Sequence, residues 1–374
     1  MPRIRPSLIR QARLLDPLLP RLLPICRDLR SAQNELRWLA EHARATGAIN
    51  ARDPGRLLRD HVSRRARGEP LQYVLGSEFF GDLEIKCRPG VLIPRQETAA
   101  SVTYLAQRIH DLQLKHSEQR PFRVLDLCTG TGCIPLLFHH EFYAKPGNEH
   151  TPSDLIGIDI SPQALQLASE NQETQLRALE SEAGHHKHTS LASLKLLHGD
   201  VLAQNVTTAG STPSVVAAIQ EALKAGNAPQ IDVLISNPPY ISSKAYRTTT
   251  APSVRHFEPK LALVPTASST TSDSDNEMPD GEIFYPSLLS LAERLCARVL
   301  MFEVADHGQA ERVAKLAMEL GEWDMIEIWR DDPIARNEHC EHQHKVVIGG
   351  REVQVLGQGH GRSVFAYRRL CQEV

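Results

Sequence analysis

The stretch Phe122-Arg123-Val124-Leu125-Asp126-Leu127-Cys128-Thr129-Gly130-Thr131-Gly132 decides the fold of this chain. Its first half is a mostly apolar run of strand length with a carboxylate near its end. Its second half sets two glycines before a helical pattern at Cys133–His140. Glycines there let the backbone pass close to a ligand without a Cβ clash, and the first amides of the helix behind them face the bound group. The same texture recurs downstream. Leu155–Ile160 reads as a second strand carrying Asp159, followed by a helix at Ser161–Asn171 with Ser161 as its cap and Pro162 in its first turn. Leu194–His198 is a third strand, followed by Gly199-Asp200-Val201. Ile231–Ser236, Val299–Val304, Trp323–Trp329 and Ser363–Tyr367 complete the strands, with helices at Ile283–Ala297 and Gln309–Leu320. Apolar strands alternating with helices predict an α/β fold with a parallel sheet covered on both faces.

The loop and two later carboxylates outline a nucleoside site. Asp159, about thirty residues beyond the loop, can accept hydrogen bonds from both hydroxyls of a ribose. Asp200 and Val201 follow the third strand, in position for an adenine edge and face. A glycine-rich turn alone does not choose the ligand, because dehydrogenases and flavoproteins use one too. The G-x-G-x-x-G spacing of a pyrophosphate site is absent. Taken singly, Asp159 also reads as a helix-capping carboxylate and Asp200 as a turn residue. The ordered trio favours S-adenosylmethionine over NAD.

Asn237-Pro238-Pro239-Tyr240 follows Asp232-Val233-Leu234-Ile235-Ser236, at the C-terminal tip of the fourth strand. That is where an open α/β sheet binds its ligands. An amide or aromatic-amine nitrogen is a poor nucleophile because its lone pair is delocalised. The Asn237 side-chain oxygen and a prolyl carbonyl can each accept one N–H bond. They thereby aim the nitrogen at a sulfonium methyl and stabilise the positive charge that develops. The prolines lack an N–H and fix φ, which pre-organises those acceptors, and Tyr240 supplies a flat wall. An ordinary Asn-Pro turn with Tyr240 in the core is the bland alternative, and the glycine loop and Asp159 upstream count against it.

Working outward, Asn34–Ala45, with Ser31 as a cap and Leu36, Leu39 and Ala40 on one face, and Arg56–Arg67 read as helices. Tyr73–Phe80 and Leu83–Cys87 read as strands of a hairpin around Gly81-Asp82, and Val91–Pro94 leads into a helix at Glu97–His110. The expected organisation is a helical domain over 1–72, a hairpin connector over 73–95 and the sheet domain over 96–374. Segments 172–193, 207–229 and 267–280 read as surface insertions, the last of low complexity. Within 1–30 there are seven arginines, two aspartates and no lysine, a pattern shared by mitochondrial targeting segments and by a basic first helix.

The 374 residues carry 42 basic and 45 acidic side chains, a net charge of −3, which disfavours a general nucleic-acid coat. Apolar residues at 41% and charged ones at 23% argue for a buried core rather than disorder. No apolar run approaches the roughly 18 residues of a membrane span. The seven cysteines are scattered without a C-x-x-C pair, which argues against a disulfide scaffold and a zinc ribbon. His339-Cys340-Glu341-His342-Gln343-His344 and His185-His186-Lys187-His188 lack a second ligand pair and read as solvated loops, so no metal is expected. Glu303 reads as a structural carboxylate at a strand end, near Asp306 and His307. Arg95 and Glu97 read equally as cofactor-pocket residues or as partners of each other.

In these boxes the chain resembles the HemK/PrmC family, protein-(glutamine-N5) methyltransferases of peptide-chain release factors. The matching residues are Glu69–Tyr73, Phe79-Phe80-Gly81, Leu92–Thr98, Asp126–Gly132, Gly157–Ser161, Asn237–Ile241, Phe257–Leu263, Asp280-Gly281, and Phe302-Glu303 with Gln309, in order over about residues 31–370. The resemblance implies a class I, Rossmann-like methyltransferase domain of seven mostly parallel strands behind a helical domain and hairpin connector. It implies S-adenosyl-L-methionine bound by the Asp126–Gly132 loop (Cys128, Thr129, Gly130, Thr131, Gly132), Asp159, Asp200, Val201 and Asn237. It implies catalysis by Asn237, Pro238 and Tyr240, with Pro239 also against the substrate. The implied partner is a release factor, methylated at the glutamine of its Gly-Gly-Gln motif in support of translation termination. Membrane or direct nucleic-acid partners are not expected. The location is mitochondrial on this reading, with a cytoplasmic one as the alternative.

Cys128 stands where the family usually has glycine, harmless if its φ is negative. Two other functions use the same residues: an adenine or cytosine amino-methyltransferase, and a methyltransferase-fold binding factor without activity.

Overall fold

A computed structural model describes residues 4–50, 53–114, 120–179, 185–203, 212–223, 230–265, 279–335 and 344–369. The central sheet is built from β3 (Phe122–Leu127), β4 (Ser153–Asp159), β5 (Lys195–His198), β6 (Val233–Ser236), β7 (Val299–Glu303), β8 (Met325–Asp332), β9 (His344–Ile348), β10 (Arg351–Leu356) and β11 (Gln358–Tyr367); β1 (Ser77–Phe80) and β2 (Leu83–Lys86) form a separate hairpin. The sheet order is β5-β4-β3-β6-β7-β11-β8-β10-β9. From β5 to β7 every pairing is parallel. Strand β11 inserts antiparallel between β7 and β8.

The chain winds outward from β3 to β5, then returns to start the other half at β6. The strand order therefore reverses between β3 and β6, and a crevice opens beyond their C-terminal ends. Both strands are buried along almost their whole length, as a sheet covered on both faces requires. Alternate residues feed two cores. Leu125, Leu127, Leu234, Leu300 and Phe302 pack with helices Phe284–Arg294 and His307–Leu320. Val124, Val233, Ile235, Val299 and Met301 pack with helices Gln96–Asp111 and Cys133–Tyr143 on the opposite face.

The α/β architecture is as expected, with additions. All seven expected strands are present, and the hairpin β9–β10 extends the sheet to nine. Strand β10 pairs parallel with β8 and antiparallel with β9. Upstream, Tyr73–Leu75 is not strand. Leu71–Leu75 is a short helix closed by Gly76 at φ +82°, so the hairpin begins only at Ser77. Its strands are short because the left-handed Gly76 turns the chain out of the helix immediately before them.

Residues 4–50 and 53–76 are mostly helical, with Pro6–Leu15, Leu19–Cys26, Leu29–Asn50 and Pro54–Ala66 around a core of Leu19, Leu22, Leu23, Leu39 and Val62. The third of these helices begins earlier than Ser31. Asp28 accepts the Ser31 amide at 2.8 Å and takes the capping role expected of Ser31. Asp53 caps the fourth helix by accepting from the Gly55 and Arg56 amides, both at 3.0 Å. Of the three expected insertions, the first falls in its described parts within helices Pro162–Leu179 and His185–Ala192. The second contains helix Val215–Leu223. The third lies outside the described residues except for Pro279 and Asp280, as does the His339–Gln343 part of the histidine cluster.

Candidate active site

Three positions in the loop after β3 adopt left-handed backbone: Cys128 at φ +63°, Gly130 at +57° and Gly132 at +76°. Gly132 also opens helix Cys133–Tyr143, and a Cβ added to it would stand 3.0 Å from Cβ of Ala168. At Cys128 the condition for a harmless side chain is not met, because φ is positive. An L-residue there carries strain of about 1 kcal/mol. Beneath the loop, Asp126 is fully buried and neither carboxylate oxygen has a well-formed partner, and the hydroxyls of Thr129 and Thr131 are likewise buried without one. Burial pushes the Asp126 carboxyl up to about 8, with the nearby Thr129 hydroxyl offsetting only part of that.

Asp159 ends β4 and faces back onto the loop. It accepts from the Gly130 amide and from the Ser161 amide, each at 2.8 Å. Burial raises its pKa and these two amides pull it back. Asp200 accepts the Leu202 amide at 2.8 Å, and Val201 beside it is buried. A cavity of about 1190 Å³ opens over these tips, lined by Cys128, Thr129, Gly130, Thr131, Asp159, Asp200, Val201, Asn237 and Pro239 among others. Asp126, Gly132 and Pro238 are not among its lining residues, and Tyr240 lines a second cavity of about 660 Å³ instead. Asn237 lines both, as do Leu92, Arg95 and Ala262. The sum exceeds an ordinary single-ligand pocket of ~300–1,000 Å³.

The tetrad is held at every side. Ser236 donates to the Leu127 carbonyl at 2.8 Å, tying the ends of β6 and β3 together. Asn237 Nδ2 donates to Thr98 Oγ1 at 3.5 Å, and the Thr98 hydroxyl donates to Glu303 Oε2. The Tyr240 hydroxyl donates to the other Glu303 oxygen at 3.0 Å. Burial raises both pKa values, so Tyr240 stays protonated and is a donor rather than a base. Gln309 Nε2 reaches the carbonyls of Tyr240, at 3.4 Å, and Gly281, at 3.2 Å. A Cβ on Gly281 would come within 2.6 Å of the Tyr240 carbonyl oxygen, so the Asp280-Gly281 box is there for close backbone approach.

Arg95 does not pair with Glu97. It donates to both oxygens of Glu258, at 2.7 and 2.8 Å, while the Ile93 amide donates to the same carboxylate at 3.2 Å. This joins the Leu92–Thr98 and Phe257–Leu263 boxes over the crevice, and Tyr73 anchors the first by donating to the Val91 carbonyl at 2.6 Å. Asp306 caps helix His307–Leu320 through the Gln309 amide at 2.8 Å. Thr98 is the site residue that sequence reading did not single out. Its position in the first turn of the helix behind the Leu92–Arg95 box was the available signal. Among the described residues no group of three His, Cys, Asp or Glu side chains could hold a metal, and no helix is long and apolar enough to cross a membrane.

No family model matches the chain. It is 32% identical over 264 residues to the mitochondrial MRF1 N(5)-glutamine methyltransferase MTQ1 of Saccharomyces cerevisiae, covering 71% of this chain and 68% of that one. It is 29% identical over 310 residues to the mtq1 protein of Schizosaccharomyces pombe, covering 79% and 84%. Over 271 residues it is 29% identical to the release factor glutamine methyltransferase of Thermodesulfovibrio yellowstonii, covering 72% and 75%.

Proposed function

The chain belongs to the family of release-factor N(5)-glutamine methyltransferases, and from that premise we propose how its geometry performs the transfer. It methylates the side-chain amide nitrogen of a release-factor glutamine with S-adenosyl-L-methionine as donor. The observation that carries the reading is the position of Asn237 in a wall common to two cavities. The larger one is ringed by the glycine loop, Asp159 and Asp200; the smaller one is lined by Tyr240, Ser242 and Arg362 among others.

The residues of the larger cavity fit the cofactor. Thr129, Gly130 and Thr131 would form its floor, Asp159 would offer acceptor lone pairs to ribose hydroxyls, and Asp200 with Val201 would meet the base. Asp126 would supply a buried carboxyl without a well-formed partner beneath a ligand that carries positive charge, and that charge would favour its ionised form. S-adenosylmethionine, when bound, supplies a methyl group activated by its sulfonium. The chain's task is to present the glutamine nitrogen to it. The Asn237 oxygen and a prolyl carbonyl of the tetrad each accept one N–H of the amide, Pro239 and Tyr240 flank its plane, and no base stronger than these acceptors is required. The nitrogen grows acidic as it is alkylated and sheds its proton late. The Gly-Gly-Gln glutamine is the acceptor and mitochondria are the location on this reading; the S. cerevisiae relative's name supports the latter.

Incubation with methyl-labelled cofactor, a release factor and an oligonucleotide tests this. Label is expected in the Gly-Gly-Gln peptide and nowhere else. Label in the nucleic acid alone would replace the reading with an amino-methyltransferase of bases, and label in neither acceptor would favour a binding factor.

A further inference from the structure

We infer that Thr98 and Glu303 are positioning residues which decide which end of the Asn237 carboxamide faces the acceptor nitrogen; this rests on the function proposed above. The two ends of a carboxamide are nearly the same shape but opposite in hydrogen-bond sense, one an acceptor and the other a double donor. An acceptor amide also presents donors. Asn237 is useful only with its oxygen toward the crevice, because its NH₂ turned outward would set donors against donors.

The chain of bonds behind Asn237 selects the useful orientation. An ionised carboxylate only accepts. Glu303 is buried at the end of β7, and its two oxygens take the protons of Thr98 and Tyr240. The Thr98 hydroxyl has one proton, which is committed to Glu303, so toward Asn237 it has only lone pairs. Nδ2 of Asn237 therefore turns inward as the donor to Thr98, and Oδ1 is left for the crevice. Thr98 is held in place by its own element: it lies in the first turn of helix Gln96–Asp111, whose preceding residue Arg95 is clamped by Glu258. Protonating Glu303 would free it to donate, and the sense of the whole chain could reverse.

The charged and titratable groups around Glu303 are Arg362 from β11, Glu97 from the helix carrying Thr98, Arg95 just before it, Cys133 from helix Cys133–Tyr143, Tyr240 and Tyr285. Burial, helped by Glu97, raises the carboxyl above its ordinary value, and the Thr98 hydroxyl, Arg362 and the Tyr240 hydroxyl offset only part of that. Activity should thus decline on the acid side as Glu303 takes a proton.

Three variants and one spectroscopic readout test the assignment. Thr98→Val keeps the shape and removes the hydroxyl, and kcat should fall about 100-fold, the scale of a mis-set transition-state hydrogen bond. KM for the release factor and cofactor affinity should stay within about twofold, the pattern of an interaction that matters mainly in the transition state. Thr98→Ser should restore most of kcat. Glu303→Gln should lower kcat and remove the acid limb of its pH profile. In the enzyme alone, the Asn237 side-chain NH₂ resonances should show one hydrogen-bonded proton that is lost in Thr98→Val. Full activity in Thr98→Val, a Thr98→Ser no better than the valine, or unaltered NH₂ resonances would each overturn the inference. An enzyme that modifies no glutamine yet shows the resonance change would remove the proposed function and leave the orientation standing.

Discussion

The floor of the glycine loop and the surroundings of the tetrad lie on adjacent strand tips, yet they treat polar groups in opposite ways. Around the tetrad, Asn237, Thr98, Glu303, Tyr240 and Gln309 all bond one another or nearby backbone. Beneath the loop, Asp126, Thr129 and Thr131 are buried without well-formed partners. Buried polar atoms left unmatched cost on the order of 1–3 kcal/mol each. The tetrad is thus organised by the protein itself, whereas the loop floor carries a cost that a cationic ligand above it can offset. One side is built for orientation and the other for affinity.

The strongest way to break this contrast is Asn237→Ala. It should lower turnover by about 10²–10³-fold, in line with loss of an oriented transition-state contact, while cofactor affinity measured by calorimetry stays nearly intact. Equal loss of both would mean that the tetrad is part of the cofactor floor. Next, Arg95→Met leaves Glu258 buried without its counter-charge, with the Ile93 amide still donating to it. Denaturant melting should show a loss of about 3 kcal/mol, the low end for breaking a buried pair because Arg95 keeps some solvent contact. Arg95→Met with Glu258→Met should recover part of that loss.

Asp126→Asn sharpens the contrast through opposite signs. Cofactor affinity should drop about tenfold or more, the worth of a charged contact, while the ligand-free protein becomes more stable. The pH dependence follows from the raised pKa. A carboxyl that titrates at about 8 when folded and about 4 when unfolded gives proton-linked stability that is complete below the lower value and lost as pH rises through the higher one. Wild-type thermal midpoints should therefore fall between pH 6 and 8 by more than those of Asp126→Asn. A parallel fall in both would assign the slope to other groups. The smallest effect is expected for Cys128→Gly. Relief of the left-handed strain is worth about 1 kcal/mol, partly cancelled by the greater freedom of glycine in the unfolded chain, so the melting temperature should move by a few degrees at most. A lost cofactor would show that the Cys128 side chain has a role of its own.

What was legible in the sequence was what is contiguous in it. Strands β3 to β7 are each centred on a short apolar run, and the loop and the tetrad each lie within a few residues, so spacing locates them. Hairpin β9–β10 was missed because its strands are short and mix exposed charged residues with buried Ile348, Val353 and Val355, Lys345 pairing with Glu352 across them. The Gly349-Gly350 turn, at φ +56° and +80°, was the hairpin signal available. Tyr73 and Val74 suggested strand by their side chains, but the helix ahead of Gly76 took them. The bonds behind Asn237 were beyond reach for a different reason: Thr98 lies 139 residues from Asn237 and 205 from Glu303, and only the folded sheet brings them together.

Gly281 has one more consequence. With the Tyr240 carbonyl pressed against it and Gln309 bridging both carbonyls, the chain is pinned at the point where the low-complexity stretch ends. That knot insulates the reactive corner from whatever precedes it. A change in the length of the connector ahead of Asp280 should therefore stop at the pin before it reaches the asparagine.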